Sequence, residues 1–563
     1  MQLINAKQEI ARLFSDAISQ YLTSENCSSF SMDECGSSID TPKDFCHGDL
    51  TSNIAMRLSR HVKKNPMDIA ESLRGILMSP SEKDKEASVI SKAEIVKPGF
   101  INLWYKKEFL HDNLFFIREI DEKYGMQSFG NGKKIQLEFV SANPTGPLTI
   151  AHGRQAAVGD ALCRILSFCG FSAEKEYFIN DEGRQINLLG TSILYHYLSF
   201  FNSPFDFPDD GYRGEYVKHI AAQIRDKYKD KFVKNYKKHS KFFQDYGVNE
   251  ILNSIKSDLS DFGITFDSWF SQKKISAKAI TETLKLLEKK GLIYKKDGAT
   301  WFKSTRFKDD KDRVVIKSDG ALTYLTPDIA YHKSKYERGF DRVIDIWGPD
   351  HHGYIARIKA AVQGLGYDPS AVSVLIVQLA KLYREGKALS MSTRKGEFIT
   401  LRELMNEVGV DVTKFFLLMR KLDSHLDFDI EIAKKQSQDN PVYYIQYAHA
   451  RIWSILSFAA SKGITINRKP DLNMLDTPEE INLMRQLVVF PYTVMASGSN
   501  LEPYFIISYL NLLAKNFHAF YTKHRVVSDD DAKTYARLYM IDCIRICLAN
   551  GLKLLGVSFP EKM

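Results

Sequence analysis

Between Gln136 and Asp160 the chain reads QLEFVSANPTGPLTIAHGRQAAVGD: a β-type run, a Gly/Pro-rich loop, then small residues suited to a helix. A strand that turns through such a loop into a helix presents backbone N–H groups and the positive end of the helix dipole to an anion. His152 and Gly153 stand where that helix begins, so an imidazole donor would meet the same anion. The chemistry expected is the handling of a nucleoside triphosphate. The spacing is neither G-x-G-x-x-G nor G-x-x-x-x-G-K-[ST]. A tight connection with a satisfied surface histidine is the other reading of this segment.

A second polar cluster, Gly348-Pro349-Asp350-His351-His352-Gly353, follows an apolar run. A glycine there lets the backbone approach an adenine, and Asp350 is able to accept from ribose hydroxyls. Two histidines beside an aspartate also raise a metal site, although no further ligands stand at metal spacing. A polar turn that ends a strand is the third reading.

These groups need a scaffold, and the 563 residues supply enough for two to four domains. Residues 1–118 mix helical patterns with polar loops and one strand-like stretch, Ala93–Trp104, broken by Pro98-Gly99. Polar, glycine-rich Tyr124–Lys134 reads as a linker. From 132 to 420, short apolar runs alternate with helical patterns, and Lys134–Val140, Val343–Trp347 and Val372–Val377 are the clearest strands. That alternation predicts an α/β fold with a doubly wound, Rossmann-like parallel sheet, whose ligands lie at the carboxyl ends of the strands. A helical insertion spans about 186–295 and contains Lys227–Phe243, where lysines interleave with aromatics. Such a stretch suits an RNA backbone, but a solvated helix with its aromatics packed inward is the preferred reading. Residues 437–563 show helical periodicity throughout and predict an all-helical bundle behind an N-terminal α+β domain.

Hydrophobic residues make up 44% and charged residues 26%, which fits a globular chain. A net charge of +8 is mild at this length; it permits a polyanionic partner without requiring one. No apolar run approaches a membrane span, and the N-terminus lacks the order of a secretory signal. Seven scattered cysteines form no C-x-x-C pair, so neither structural zinc nor a disulfide framework is expected. A cytoplasmic protein with reduced thiols fits these features.

Ser141-Ala142-Asn143-Pro144-Thr145-Gly146-Pro147 and His152-Gly153-Arg154 resemble the first signature of class I aminoacyl-tRNA synthetases, in the form found in bacterial arginyl-tRNA synthetases. Thr149 stands where that signature has its first histidine, and Ala151 replaces its glycine. Ser390-Met391-Ser392-Thr393-Arg394-Lys395-Gly396 resembles the second signature, Lys-Met-Ser-Lys-Ser, with Ser390 in place of its first lysine and Thr393 in place of its second. Further likeness comes from Pro98-Gly99-Phe100-Ile101-Asn102, from Asn440 to Arg451, and from the terminal GLKLLGVSFPEKM.

The resemblance implies ATP-dependent formation of arginyl-adenylate and transfer of arginine to its tRNA, with Mg²⁺ accompanying ATP and the chain acting as a monomer. It implies catalytic roles for His152, Thr149, Met391, Ser392, Arg394 and Lys395. ATP would meet Asn143, Pro144, Gly146, His152, Gly153, Gly348, Asp350 and His351. Arginine would be held by Glu138 and Asp328 through its guanidinium, by Tyr324 along its stem, and by Ser141 and Asn143 at its α-amino and carboxylate ends. A guanidinium is always charged and prefers a planar carboxylate partner. Asp328 also reads as a helix N-cap after Pro327, and Glu138 as a strand carboxylate facing solvent or paired with a nearby lysine. Two rival functions remain at this point: a nucleotidyltransferase with another acceptor, and a non-catalytic tRNA-binding paralogue.

Overall fold

Proline and glycine interrupt a strand ladder, and at Pro98-Gly99 the Ala93–Trp104 run folds back on itself as a hairpin. The computed structural model describes residues 6–25, 38–42, 45–79, 89–389, 398–466 and 469–563. In it β1 (Ile39–Asp40), β2 (Leu50–Ser52), β3 (Ile90–Val96) and β4 (Phe100–Tyr105) form an antiparallel sheet in the order β1-β2-β4-β3. Helices Ala6–Ser24, Ile54–Val62 and Pro66–Met78 bury Phe14, Leu58, Ile69 and Leu73 with Ile101 and Leu103 of β4. This layer is tied to the C-terminal helices by buried Asp49, whose carboxylate pairs with Arg485 at 2.8 Å and accepts from Tyr105 N at 2.7 Å.

The central sheet is parallel throughout, in the order β12-β11-β5-β6-β7, with β5 (Lys134–Glu138), β6 (Ser172–Ile179), β7 (Ser268–Ser271), β11 (Arg342–Trp347) and β12 (Val372–Ile376). β5 is buried on both faces although its sequence, KIQLE, alternates apolar and polar residues, so Gln136 and Glu138 are buried with Ile135 and Leu137. The helix Ile150–Phe168 lies against this sheet so closely that a Cβ at Gly159 would overlap the Phe139 ring. Gly159→Ala should therefore lower stability by about 1–3 kcal/mol, the usual penalty of overpacking, read as a fall in Tm.

The 186–295 insertion differs from the all-helical expectation. Helices Arg184–Ser199, Glu215–Tyr228, Ser240–Asp261 and Ala277–Lys289 are present, but Ser268–Ser271 leaves them to become the edge strand β7. Its four residues, SWFS, are too short to show a period of two. The Lys227–Phe243 stretch follows the packed reading: Phe232 and Phe243 are buried, and they form one aromatic cluster with Tyr228 and Phe242. It is two helices joined by turns and a 3-10 segment rather than one helix.

β8 (Ile293–Lys296), β9 (Ala299–Phe302) and β10 (Arg313–Ile316) make a small antiparallel sheet. A last small sheet joins β13 (Ala380–Arg384), β14 (Lys387–Ala388) and β15 (Leu426–Asp429). Beyond it run four long helices, Pro441–Ser461, Pro478–Asn500, Tyr504–Lys523 and Asp531–Leu554. Asn440 opens the first of them, accepting from Val442 N and Tyr443 N, with Pro441 at the N1 position that best tolerates proline. No helix among the described residues is long and apolar enough to cross a membrane. Cys163, Cys169, Cys543 and Cys547 are free and buried; Cys27 and Cys35 lie outside the described residues.

Candidate active site

Parallel register sets three carboxylates side by side: Glu138 of β5 is flanked by Asp345 of β11 and Glu176 of β6. All three are buried, and such a row is untenable without compensating cations. The helix Leu325–Glu337 and the turn after it supply them. Lys335, fully buried, donates to Glu138 at 2.6 Å and to Asp345 at 2.8 Å. Arg338 pairs with Glu176, and Tyr331 donates to both Glu138 (2.9 Å) and Glu176 (2.6 Å). Burial alone would lower the Lys335 pKa, but Asp345 and Glu138 raise it above the ordinary value. Burial likewise works to raise Asp345, yet Lys335 and His332 hold it well below the usual carboxylate range.

Asp328 stands on the same helix, one turn before His332. His332 lies between the Asp328 carbonyl (2.8 Å from Nδ1) and the Asp345 carboxylate (2.9 Å from Nε2), which fixes the first turn of the helix over the strands. The Asp328 carboxylate accepts from the Tyr354 hydroxyl at 2.7 Å. Burial raises its pKa, and among the described residues no cation is in ion-pair contact with it. So the two carboxylates expected to hold arginine are unlike: Glu138 is in an ion pair with a lysine, while the Asp328 carboxylate accepts from a phenol. Lys335, Asp345, His332 and Tyr331 were not singled out from sequence. Their signal was there, since 328, 331, 332 and 335 share one helical face.

A cleft of about 410 Å³ opens at the carboxyl ends of β5 and β11, and its lining brings together Glu138, Ser141, Asn143, His152, Asp328, Gly348, Asp350 and His351. The backbone leaves β5 through Val140 (φ 67°) and Ser141 (φ 39°), two non-glycine residues in the left-handed region. Strain of this kind persists where the surroundings impose it and is common at functional sites. The turn aims Ser141 Oγ, which donates to Glu138 at 3.1 Å and accepts from Phe178 N at 3.1 Å. Asn143 donates to Gln185 at 2.6 Å. Opposite, a Cβ at Gly348 would sit 2.7 Å from Asp350 Oδ1, so a side chain there would close the rim of the cleft.

Thr149 is the N-cap of the Ile150–Phe168 helix, and its role becomes visible here. Its backbone N–H donates to His152 Nδ1 at 3.2 Å, and its Oγ1 lies 3.2 Å from the same nitrogen. With Nδ1 accepting, the proton of the neutral ring is on Nε2. Burial lowers the His152 pKa to about 4, only weakly opposed by Asp350. The ring is thus a neutral N–H donor beside a helix N-terminus.

Four expected ATP or arginine contacts sit differently. Gly153 faces packing rather than the cleft: a Cβ there would lie 2.8 Å from Leu401 Cδ1. Pro144 is buried in the loop, and Gly146 leaves room for the Tyr216 hydroxyl, 3.1 Å from where a Cβ would be. Tyr324 is 87% exposed and outside the cleft lining, at the N-cap of the helix whose first turn carries Asp328; Asp328 itself is not the N-cap. Met391, Ser392, Arg394 and Lys395 lie outside the described residues, but the chain resumes in contact with the first signature. Thr400 forms an isolated bridge with Thr149, and Leu401 N donates to Leu148 O at 2.8 Å.

A larger cavity, about 860 Å³, lies in the C-terminal helices, far in sequence from this chemistry. Tyr447 and Arg451 line it with Tyr521, Lys523 and Arg525. Tyr443, Tyr447 and His518 stack in a ladder, and the Arg451 guanidinium lies over the rings of Tyr447 (4.7 Å) and Tyr521 (4.6 Å). Tyr443, Tyr444 and Tyr447 are half-buried, and Tyr444 packs against the core. Among the described residues no three His, Cys, Asp or Glu side chains are grouped to hold a metal ion.

Three family descriptions match the chain in order: "Arginyl tRNA synthetase N terminal domain" over residues 8–104, "tRNA synthetases class I (R), catalytic domain" over 117–421, and "DALR anticodon binding domain" over 445–563. The arginine--tRNA ligase of Citrifermentans bemidjiense is 46% identical over 529 residues, covering 93% of this chain and 94% of that protein. That of Oceanobacillus iheyensis is 44% identical over 528 residues with the same coverage. The structure of Thermus thermophilus arginyl-tRNA synthetase shares the fold, with a TM-score of 0.75 at 20% identity over 98% of this chain and 100% of that one. With the catalytic description spanning more than half of it and relatives of this identity along nearly its whole length, the chain belongs to the arginyl-tRNA synthetase family of class I aminoacyl-tRNA synthetases.

Proposed function

We propose that the cleft at the carboxyl ends of β5 and β11 is where this chain performs the reaction of its family, the ATP-dependent ligation of L-arginine to its tRNA. The observation that carries the assignment is the contrast between paired Glu138 and unpaired Asp328 in a cleft that also holds the His152 donor. The arginine guanidinium binds Asp328, with the Tyr354 hydroxyl keeping the carboxylate in place. Ser141 and Asn143, at the strained turn after β5, face the α-amino and carboxylate end. ATP lies on the other side of the turn: ribose toward Asp350, base against the backbone at Gly348, phosphates at the N-terminus of the Ile150–Phe168 helix.

The arginine carboxylate oxygen then attacks the α-phosphorus in line, and the bond to the bridging oxygen of pyrophosphate breaks. His152 Nε2–H and the helix N-terminus stabilise the charge that develops. A terminal ribose hydroxyl of tRNA next attacks the adenylate's carbonyl carbon, and AMP leaves. Mg²⁺ travels with the ATP phosphates. The cations of Arg394 and Lys395 act on the leaving pyrophosphate, as the second signature implies. Thr149 acts through His152 rather than on substrate. The chain works as a cytoplasmic monomer in this reading.

The cavity at Tyr447 and Arg451 takes an anticodon base, stacked in the existing ladder and held by cations. Base stacking on one aromatic is worth about 1–3 kcal/mol. Tyr447→Ala should accordingly weaken tRNA binding roughly 5- to 100-fold and leave the KM for arginine unchanged, measured by filter binding and by steady-state charging. The decisive assay is charging of tRNA with radiolabelled arginine in the presence of ATP. Tight tRNA binding with no charging would identify a non-catalytic paralogue, and ATP turnover with another acceptor a nucleotidyltransferase.

A further inference from the structure

Arg154, two residues beyond His152, is fully buried and has no carboxylate in contact among the described residues. Its guanidinium donates instead to backbone carbonyls: Gln378 at 2.7 Å, Ser424 at 2.9 Å and Lys421 at 3.0 Å, with Arg420 at 3.5 Å. These carbonyls belong to two chain segments. Gln378 lies between β12 and β13, and residues 420–424 connect the helix Val410–Leu418 to β15. The segments also bond to each other, Gln378 N to Leu422 O at 2.9 Å, and continue as the parallel pair β13 and β15.

A buried charge whose hydrogen bonds all go to carbonyls is an expensive arrangement. Any apolar residue would pack the helix to this spot without it. What the guanidinium adds is direction: a planar fork meets four carbonyls at one register only. A third element is attached to the same knot. Glu502, in the turn between the C-terminal helices Pro478–Asn500 and Tyr504–Lys523, accepts from Leu422 N at 3.2 Å and from Tyr504 N at 3.3 Å. It is also the carboxylate that acts electrostatically on Arg154.

We propose that Arg154 is a positioning residue that fixes the base of the β13–β15 sheet, and through Glu502 the seat of the C-terminal helices, relative to His152 at the ATP end of the cleft. The three parts it ties carry the first signature, the strand that leads into the second, and the helices with the Tyr447 cavity. Displacement of one against the others would leave the arginine pocket intact, since Asp328, Tyr354 and Glu138 are held by the separate Lys335 network. The proposal rests on the ATP-side reading of His152. That reading fails if His152→Ala leaves adenylate formation intact, whereas the tether fails on the variants below.

Arg154→Lys keeps the charge and loses the fork. Charging assays on the full chain with tRNA should show kcat reduced roughly 10²-fold, the usual penalty for about 1 Å of misplacement, with the arginine KM within about threefold of wild type. A well-folded Arg154→Lys variant with kcat near wild type would overturn the proposal, and so would a rise in arginine KM that matches the fall in kcat. If Arg154→Lys does not fold, Glu502→Gln decides the matter, because glutamine keeps the size of the side chain but offers one acceptor oxygen where two carboxylate oxygens now accept from Leu422 N and Tyr504 N. Its kcat should fall roughly three- to tenfold with an unchanged Tm; wild-type kcat there would equally overturn the proposal. In the double variant the two effects should be markedly less than additive, as expected of groups acting through one knot.

Discussion

Asp328→Asn should raise the KM for arginine by roughly two to three orders of magnitude, about 3–4 kcal/mol, while the KM for ATP stays within a fewfold of wild type. The asymmetry comes from the charge balance of the cleft. Glu138 and Asp345 share Lys335, Asp345 is also met by His332, and Glu176 is paired with Arg338. Asp328 is different: among the described residues no Lys or Arg pairs with its carboxylate, which accepts from a neutral phenol, Tyr354. A bound guanidinium supplies the missing charge, and an asparagine cannot answer it. Steady-state charging with varied arginine measures the effect. An unchanged arginine KM in a folded variant would remove Asp328 from the pocket.

The same balance sets a pH dependence. Burial raises the Asp328 pKa above the ordinary carboxylate value in the substrate-free cleft. The ionised form binds arginine, so the arginine KM should rise on acidification as pH falls through that raised value, and flatten above it. In Asp328→Asn this acid-side rise should disappear. Measuring arginine KM against pH for both proteins tests the assignment independently of the size of the loss.

The strand–loop–helix at Gln136–Asp160 was legible because its chemistry and its backbone are encoded in the same few residues. Apolar alternation marks β5, Gly and Pro mark the loop, and small residues mark a helix that must lie close to the sheet, as Gly159 against Phe139 shows. The three-block order was legible for the same reason. What stayed hidden depended on register. That Glu138 lies between Asp345 and Glu176 follows only once β5 is known to be flanked by β11 and β6. Lys335 then becomes necessary, although in the sequence it is one lysine among many. β7 was hidden because four residues carry no period, and its place at the sheet edge is a tertiary fact. The orientation of Tyr324 was not legible either, because matching a motif position says nothing about which way a residue before a helix points; here it is turned to solvent.

His152→Ala should lower the rate of adenylate formation roughly 10²- to 10³-fold with little change in arginine KM, the effect of removing one preorganised donor to developing charge. With its pKa lowered to about 4, the imidazole is neutral throughout the ordinary assay range, so its contribution should show no inflection between about pH 6 and 8. Pyrophosphate exchange in the presence of tRNA, followed against pH, measures both. Thr149 gives the sharper contrast. In the family signature a histidine stands at this position, and restoring it by Thr149→His would be expected to help if the native residue were a defect. The structure argues otherwise: Thr149 is buried, caps the helix, bridges to Thr400 and directs the His152 proton to Nε2 through its backbone N–H. An imidazole there must displace Thr400 or leave the cap, and either movement disturbs His152. Thr149→His should therefore give no gain in adenylate formation. A gain of about a thousandfold, the worth of one such donor, would instead mean that the native chain lacks a catalytic group its relatives possess.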